Sequence, residues 1–181
     1  MAGASMKDIK LRIRSVESTM QITKAMQLVA TSKLRRAKER MESSKPFGII
    51  ARQAISAAVA RCEDAHIPYL TPREVKRRCY VVIAGERGLA GGYNSNIFKA
   101  LAAHGEGVDY CVLPIGRKAI DKYQHVGVEL LDDTQARVEG CSVGACFRLS
   151  GLLVEGYNPE RFDEVWLVYT VFHTMMDQQV Q

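Results

Sequence analysis

Few residues of this 181-residue chain are placed for covalent chemistry. Four histidines, His66, His104, His125 and His173, stand singly along the sequence. That scatter suits surface or hydrogen-bonded core positions, not a metal site or a proton relay. Five cysteines, Cys62, Cys79, Cys111, Cys141 and Cys146, form no even framework, and none belongs to a CxxC pair. Reduced thiols are expected, with no metal. The Cys141–Cys146 spacing reads better as a coincidence at the start of a helix than as a redox pair. Asp132-Asp133 and Asp163-Glu164 read as turn residues at strand ends, not as acid/base couples. The stretch Gly85-Glu-Arg-Gly-Leu-Ala-Gly-Gly-Tyr-Asn94 is the obvious place to look for a phosphate cradle. It is not GxGxxG, and no Lys-Ser/Thr follows it as a P-loop needs. The next strand ends at Ile115-Gly116, without the acidic residue that would bind a ribose. A tight strand-to-helix turn is the better reading, and no catalytic residue or cofactor is expected.

What remains is charge. The net charge is +5, but Lys7 to Lys45 alone hold 11 Lys/Arg against 4 Asp/Glu. The rest of the chain is slightly acidic, so the excess belongs to one segment, which implies an acidic or polar partner for it. For the densest part, Lys33 to Arg40, solvent, nucleic acid and an acidic protein collar compete, and charge alone favours a solvated face.

The element carrying this charge is a helix. No Pro or Gly occurs from Ser5 to Met41. Ser5 suits the N-cap, and Asp8 three residues on suits a capping box. Positions 9, 13, 16, 20, 23, 27, 30, 34, 37 and 41 alternate spacings of four and three, and eight of the ten are apolar. That is a coiled-coil seam over nearly five heptads, interrupted by Thr23 and Gln27. Ile22, Met26 and Val29 lie beside the interruption as a lateral apolar patch. Pro46 is expected to kink the helix or restart it, with helical spacing resuming from Phe47 to Val59. The segment 62–77 reads as a linker.

A second unit, 78–181, reads as an α/β body. Four strands are expected, at Arg78–Ala84, Tyr110–Ile115, Val126–Leu131 and Glu164–Phe172. Helices are expected at Asn96–Ala103, Arg117–His125 and Ala145–Gly156. The alternation argues for a Rossmann-like, mostly parallel sheet covered by helices. No apolar run is long enough to span a bilayer, and the N-terminus has no apolar signal core.

Three stretches together resemble the gamma (central-stalk) subunit of F-type ATP synthases. They are Met6–Thr19 (MKDIKLRIRSVEST), Ile22–Ala37 (ITKAMQLVATSKLRRA) and Glu86–Asn96 (ERGLAGGYNSN). The resemblance implies a non-catalytic rotor, turning inside a ring of alpha and beta subunits and coupling ion flow to ATP synthesis or hydrolysis. It implies contact of Ile22, Lys24, Met26, Val29, Lys33, Arg35 and Arg36 with the ring. It implies that the body meets the epsilon subunit and the membrane c-ring, with no nucleic acid bound. The chain would then be a peripheral protein on the cytoplasmic side of a bacterial cell membrane, not inserted in it. The family continues beyond the fourth strand into a C-terminal helix that fills the seam. By that standard the present chain lacks the C-terminal portion and its body is incomplete there. Coupling by these residues alone is therefore not expected. Two rival readings remain: a basic-helix nucleic-acid-binding protein, and a nucleotide-binding α/β enzyme using the glycine loop. The mixing of charge with the seam argues against the first, and the missing phosphate motif against the second.

Overall fold

A computed structural model describes residues 5–61, 69, 71, 73–135 and 137–181. Cys62, His66 and much of the expected 62–77 linker lie outside the described residues. The chain divides into two compact units, Met1–His66 and Ile67–Gln181.

The first unit is one helix, α1, Met6–Val59, of 54 residues. At about 1.5 Å per residue it is roughly 80 Å long. Its start is capped as expected. The Lys7 N–H donates to Ser5 Oγ at 3.2 Å, and the Ser5 N–H donates to the Asp8 carboxylate at 3.2 Å. Asp8 also places negative charge against the positive end of the helix dipole. The expected break at Pro46 does not occur; Pro46 lies inside the helix. The ring costs the ladder one donor and crowds the preceding turn, about 3 kcal/mol. A break would instead require a second, unfavourable nucleation, and proline's φ is already helical. The hydroxyls of Ser43 and Ser44 donate to the carbonyls of Arg40 and Met41 in the turn before it, at 2.9 and 3.0 Å.

The second unit has the expected α/β character. Its elements are β1 (Arg77–Ile83), α2 (Tyr93–His104), β2 (Asp109–Ile115), α3 (Arg117–Tyr123), α4 (Val143–Gly156), β3 (Glu164–Val168), β4 (Thr170–Phe172) and β5 (Gln178–Val180). β1 is central in a parallel sheet of order β2-β1-β3. Its near-continuous apolar run, Cys-Tyr-Val-Val-Ile, fits a strand covered on both faces. Tyr80 and Val82 join Ile97 and Leu101 of α2 and Ala119 and Tyr123 of α3 in one core. Cys79 and Val81 join Cys111, Leu113, Leu149 of α4 and Phe162 in the other. α4 can lie this close because it ends in a glycine: a Cβ on Gly156 would fall 2.6 Å from Phe162 Cζ.

Two strand expectations are corrected. Val126–Leu131 is not a strand. A turn through Gly127, at φ +75°, takes its first half. Only a single parallel bridge, Val112 to Leu130, joins the rest to β2. Glu164–Phe172 is two strands. At Tyr169 the chain leaves the parallel sheet and exchanges two 2.9 Å hydrogen bonds with Gln181. β4 then pairs antiparallel with β5, a strand for which the polar sequence gave no sign.

Candidate functional site

The seven residues singled out on α1 are all exposed. Ile22, Met26 and Val29 keep 59%, 54% and 58% of their surface, and no residue of α1 is buried. Helix geometry divides them. At about 100° per residue, Ile22, Met26, Val29, Lys33 and Arg36 share one stripe roughly 80° wide. Lys24 and Arg35 do not join it. They lie about 200–220° round from Ile22, on a second stripe with Leu28 and Thr31. The seam positions Thr23, Gln27, Ala30, Leu34 and Ala37 run between, centred about 100° from each. The helix therefore has an apolar seam flanked on both sides by basic stripes. This division follows from a single unbroken helix.

The seam's polar interruption is also resolved. Thr23 Oγ1 donates to the Thr19 carbonyl at 2.7 Å. Thr19 and Thr31 bond back in the same way, to Ser15 and Gln27, each at 2.9 Å. These hydroxyls are satisfied by their own helix and need no polar partner across the seam. Among the cations, Arg35 pairs with Glu39 at 3.9 Å and Lys38 with Glu42 at 3.7 Å. Both pairs are exposed and spaced i,i+4, so they hold little energy and leave the surface basic.

Among the described residues, no group of three or more His, Cys, Asp or Glu could hold a metal. His104 accepts or donates one bond, 2.7 Å from the Tyr80 hydroxyl, and His125 and His173 are exposed. In the glycine loop, Asn94 Oδ1 accepts the Gly85 N–H at 2.8 Å. The Glu86 carboxylate accepts the N–H groups of Val138 and Glu139 at 3.0 and 3.1 Å. The loop is thus a tie between segments.

Asp132 keeps to the turn reading, its carboxylate accepting the Thr134 N–H two residues on at 3.0 Å, whereas Asp163 does more. Asp163 is buried and anchors the body. It accepts the Lys76 and Arg77 N–H groups at 2.9 and 3.1 Å and pairs with Arg73 at 3.0 Å. Burial opposes its ionisation, but these donors and the Arg73 charge outweigh that and hold its pKa below the ordinary carboxylate value. Arg73 in turn lies 4.2 Å over the Tyr157 ring and donates to the Phe162 carbonyl. Asp132 ties down Arg148 of α4 and the Thr134 backbone. No sequence pattern marked the contacts of Asp163 with Lys76 and Arg77 or of Asp132 with Arg148, because these partners lie on other segments of the chain. No helix among the described residues is long and apolar enough to cross a membrane.

The family model described as ATP synthase matches residues 5–181. The ATP synthase gamma chain of Heliobacterium modesticaldum is 39% identical over 175 residues, covering 96% of this chain and 60% of the relative. That of Ruminococcus albus is 38% identical over 185 residues, covering 98% of this chain and 64% of the relative. The chain thus spans somewhat under two thirds of the length of these curated relatives. Among solved structures, it resembles a chain of the Euglena gracilis mitochondrial ATP synthase rotor, with a TM-score of 0.53 at 19% identity. That match covers 95% of this chain and 59% of the other. It also resembles a chain of the Tetrahymena thermophila mitochondrial ATP synthase central stalk and c-ring, with a TM-score of 0.56 at 20% identity, covering 88% and 70%. These structural likenesses speak to fold, while the family match across nearly every residue speaks to descent: the chain belongs to the ATP synthase gamma family.

Proposed function

We propose that this chain serves as central-stalk rotor of an F-type ATP synthase, coupling ion flow to ATP synthesis or hydrolysis without catalysing either reaction itself. The observation that carries the reading is the angular layout of α1. A second helix can fill the apolar seam while both basic stripes remain outside it. A surrounding acidic sleeve, formed by alpha and beta subunits, would then meet positive charge on more than one side of the shaft. Lys24, Lys33, Arg35 and Arg36 are assigned to that contact, with Ile22, Met26 and Val29 as its apolar part. Met26 suits a contact that changes as the shaft turns, since its side chain is flexible and polarisable. The body is assigned to the epsilon subunit and the c-ring. The assembly would hold the chain at the cytoplasmic face of the membrane. The test is co-purification with alpha and beta subunits. Recovery by the wild type is expected, and it should fall when Lys33, Arg35 and Arg36 are changed to Glu. Failure of the wild type to recover either subunit would refute the assignment.

A further inference from the structure

Cys141 and Cys146 occupy a defined piece of geometry. Ser142 is the N-cap of α4, its Oγ accepting the Ala145 N–H at 3.1 Å. Cys141 therefore stands at the position before the cap and Cys146 at the fourth helical position. These are the two places that helix starts bring together as a hydrophobic staple. Here the staple is made of sulfur, with Sγ atoms 3.7 Å apart. A disulfide needs about 2.05 Å between sulfurs, a distance that small side-chain rotations can close. Glycines sit at both sides of the pair's first member: Gly140, at φ +84°, precedes it, and Gly144 lies within the loop to be closed. Cys146 is exposed and Cys141 half-buried, so an oxidant reaches the pair from solvent. The other described pair is different in kind. Cys79 and Cys111 face each other in register across β1 and β2, but both are wholly buried.

We propose that Cys141 and Cys146 are a reversible oxidation site, closing an intramolecular disulfide across the first turn of α4 by exchange with a small-molecule disulfide such as oxidised glutathione. The Cys146 thiolate attacks one glutathione sulfur and expels the other glutathione as thiolate. Cys141, as thiolate, then attacks Cys146 Sγ and expels the second glutathione. Two electrons pass from the protein dithiol to glutathione disulfide, and the two thiol protons end on the two glutathione molecules released. The product fixes the residue before the cap to the helix it starts, so the first turn of α4 opens less often.

The test uses the full chain carrying Cys62→Ser, so that this thiol does not compete. It is equilibrated in glutathione buffers from fully reduced to fully oxidised, quenched in acid, and alkylated after denaturation. Tryptic cleavage after Arg137 and Arg148 leaves both cysteines on one peptide, Val138–Arg148. The expected result is that peptide unalkylated and two hydrogens lighter under oxidising buffers, and doubly alkylated again after excess dithiothreitol. Cys79 and Cys111 should be alkylated throughout. Cys141→Ser should trap a glutathione adduct on Cys146. Double alkylation of Val138–Arg148 at every buffer ratio would overturn the proposal, as would two glutathiones on that peptide or an unmodified Cys146 in the Cys141→Ser chain.

Discussion

Two double charge reversals on α1 separate a surrounding partner from a one-sided one. Lys33→Glu/Arg36→Glu alters the stripe that carries Ile22, Met26 and Val29. Lys24→Glu/Arg35→Glu alters the stripe on the other side of the seam. Each exposed charge contact is worth roughly 0.5 kcal/mol, and turning attraction into repulsion doubles the change to about 1 kcal/mol per residue. Each double variant should therefore lose about 2 kcal/mol, or about 30-fold in affinity for an assembled alpha-beta ring. The assay is titration of fluorescently labelled chain with ring at two salt concentrations. Both losses should shrink at high salt, since the contacts are screened. Arg35→Glu also faces Glu39 across one turn, where Arg35 now pairs at 3.9 Å. That like-charge pair costs a few tenths of a kcal/mol of helix stability, which circular dichroism of the free chain reports. A sleeve predicts comparable losses from the two variants. If one weakened binding 30-fold and the other left it unchanged, the partner would lie on one side only and the sleeve assignment would be refuted.

Other expectations concern the scaffold. Asp163→Asn should destabilise the body by about 2–4 kcal/mol at neutral pH, because a buried ion pair and a charge-assisted acceptor are lost together. The folded-state pKa of Asp163 is depressed, so its stabilisation is present above the unfolded value of about 3.9. It is lost as pH falls through the lower folded value, and the difference from wild type should vanish with it. Urea unfolding followed by Trp166, the single tryptophan, measures both. Gly156→Ala drives a methyl into the Phe162 ring and should cost about 1–3 kcal/mol by the same readout. Pro46→Ala restores a donor to α1 and should raise its helicity and melting temperature by circular dichroism, with up to about 3 kcal/mol at stake, while the Trp166 transition stays put.

Much of the fold was legible because its signals are local. The alternation of four and three from Ile9 to Met41 fixed α1, and Ser5 with Asp8 marked its start. The apolar runs at Cys79 and Cys111 marked the two best-buried strands. Misreadings arose where a local rule met a larger balance. Pro46 carries a breaking signal, but restarting the helix would cost more than crossing the proline. Val126–Leu131 has strand composition, yet Gly127 turns the chain and leaves it one bridge. Nothing in Gln178–Val180 announces a strand, because its ladder is set by Tyr169 pairing with Gln181. On the candidate site, the residue types were readable, and the helix expected from Ser5 to Met41 already set the angular positions of Ile22 to Arg36; what the structure adds is that all seven are exposed. The Cys141–Cys146 approach depended on where α4 begins, two residues earlier than its apolar pattern suggested.

Thr31 of α1 carries a mechanical consequence. A shaft that turns against a fixed sleeve meets an energy that varies with angle, and directional hydrogen bonds would cut deep notches into that profile. Thr31, on the stripe with Lys24 and Arg35, has already committed its hydroxyl proton to the preceding turn. It has no free donor with which to catch on a passing carbonyl or carboxylate. Breaking that bond to engage the sleeve would exchange like for like and gain almost nothing. Long-range charge supplies the grip, which varies gently with angle, and short-range polar detents are suppressed at the source. In the proposed rotor this gives a bearing surface of low corrugation, in which little torque is spent on friction.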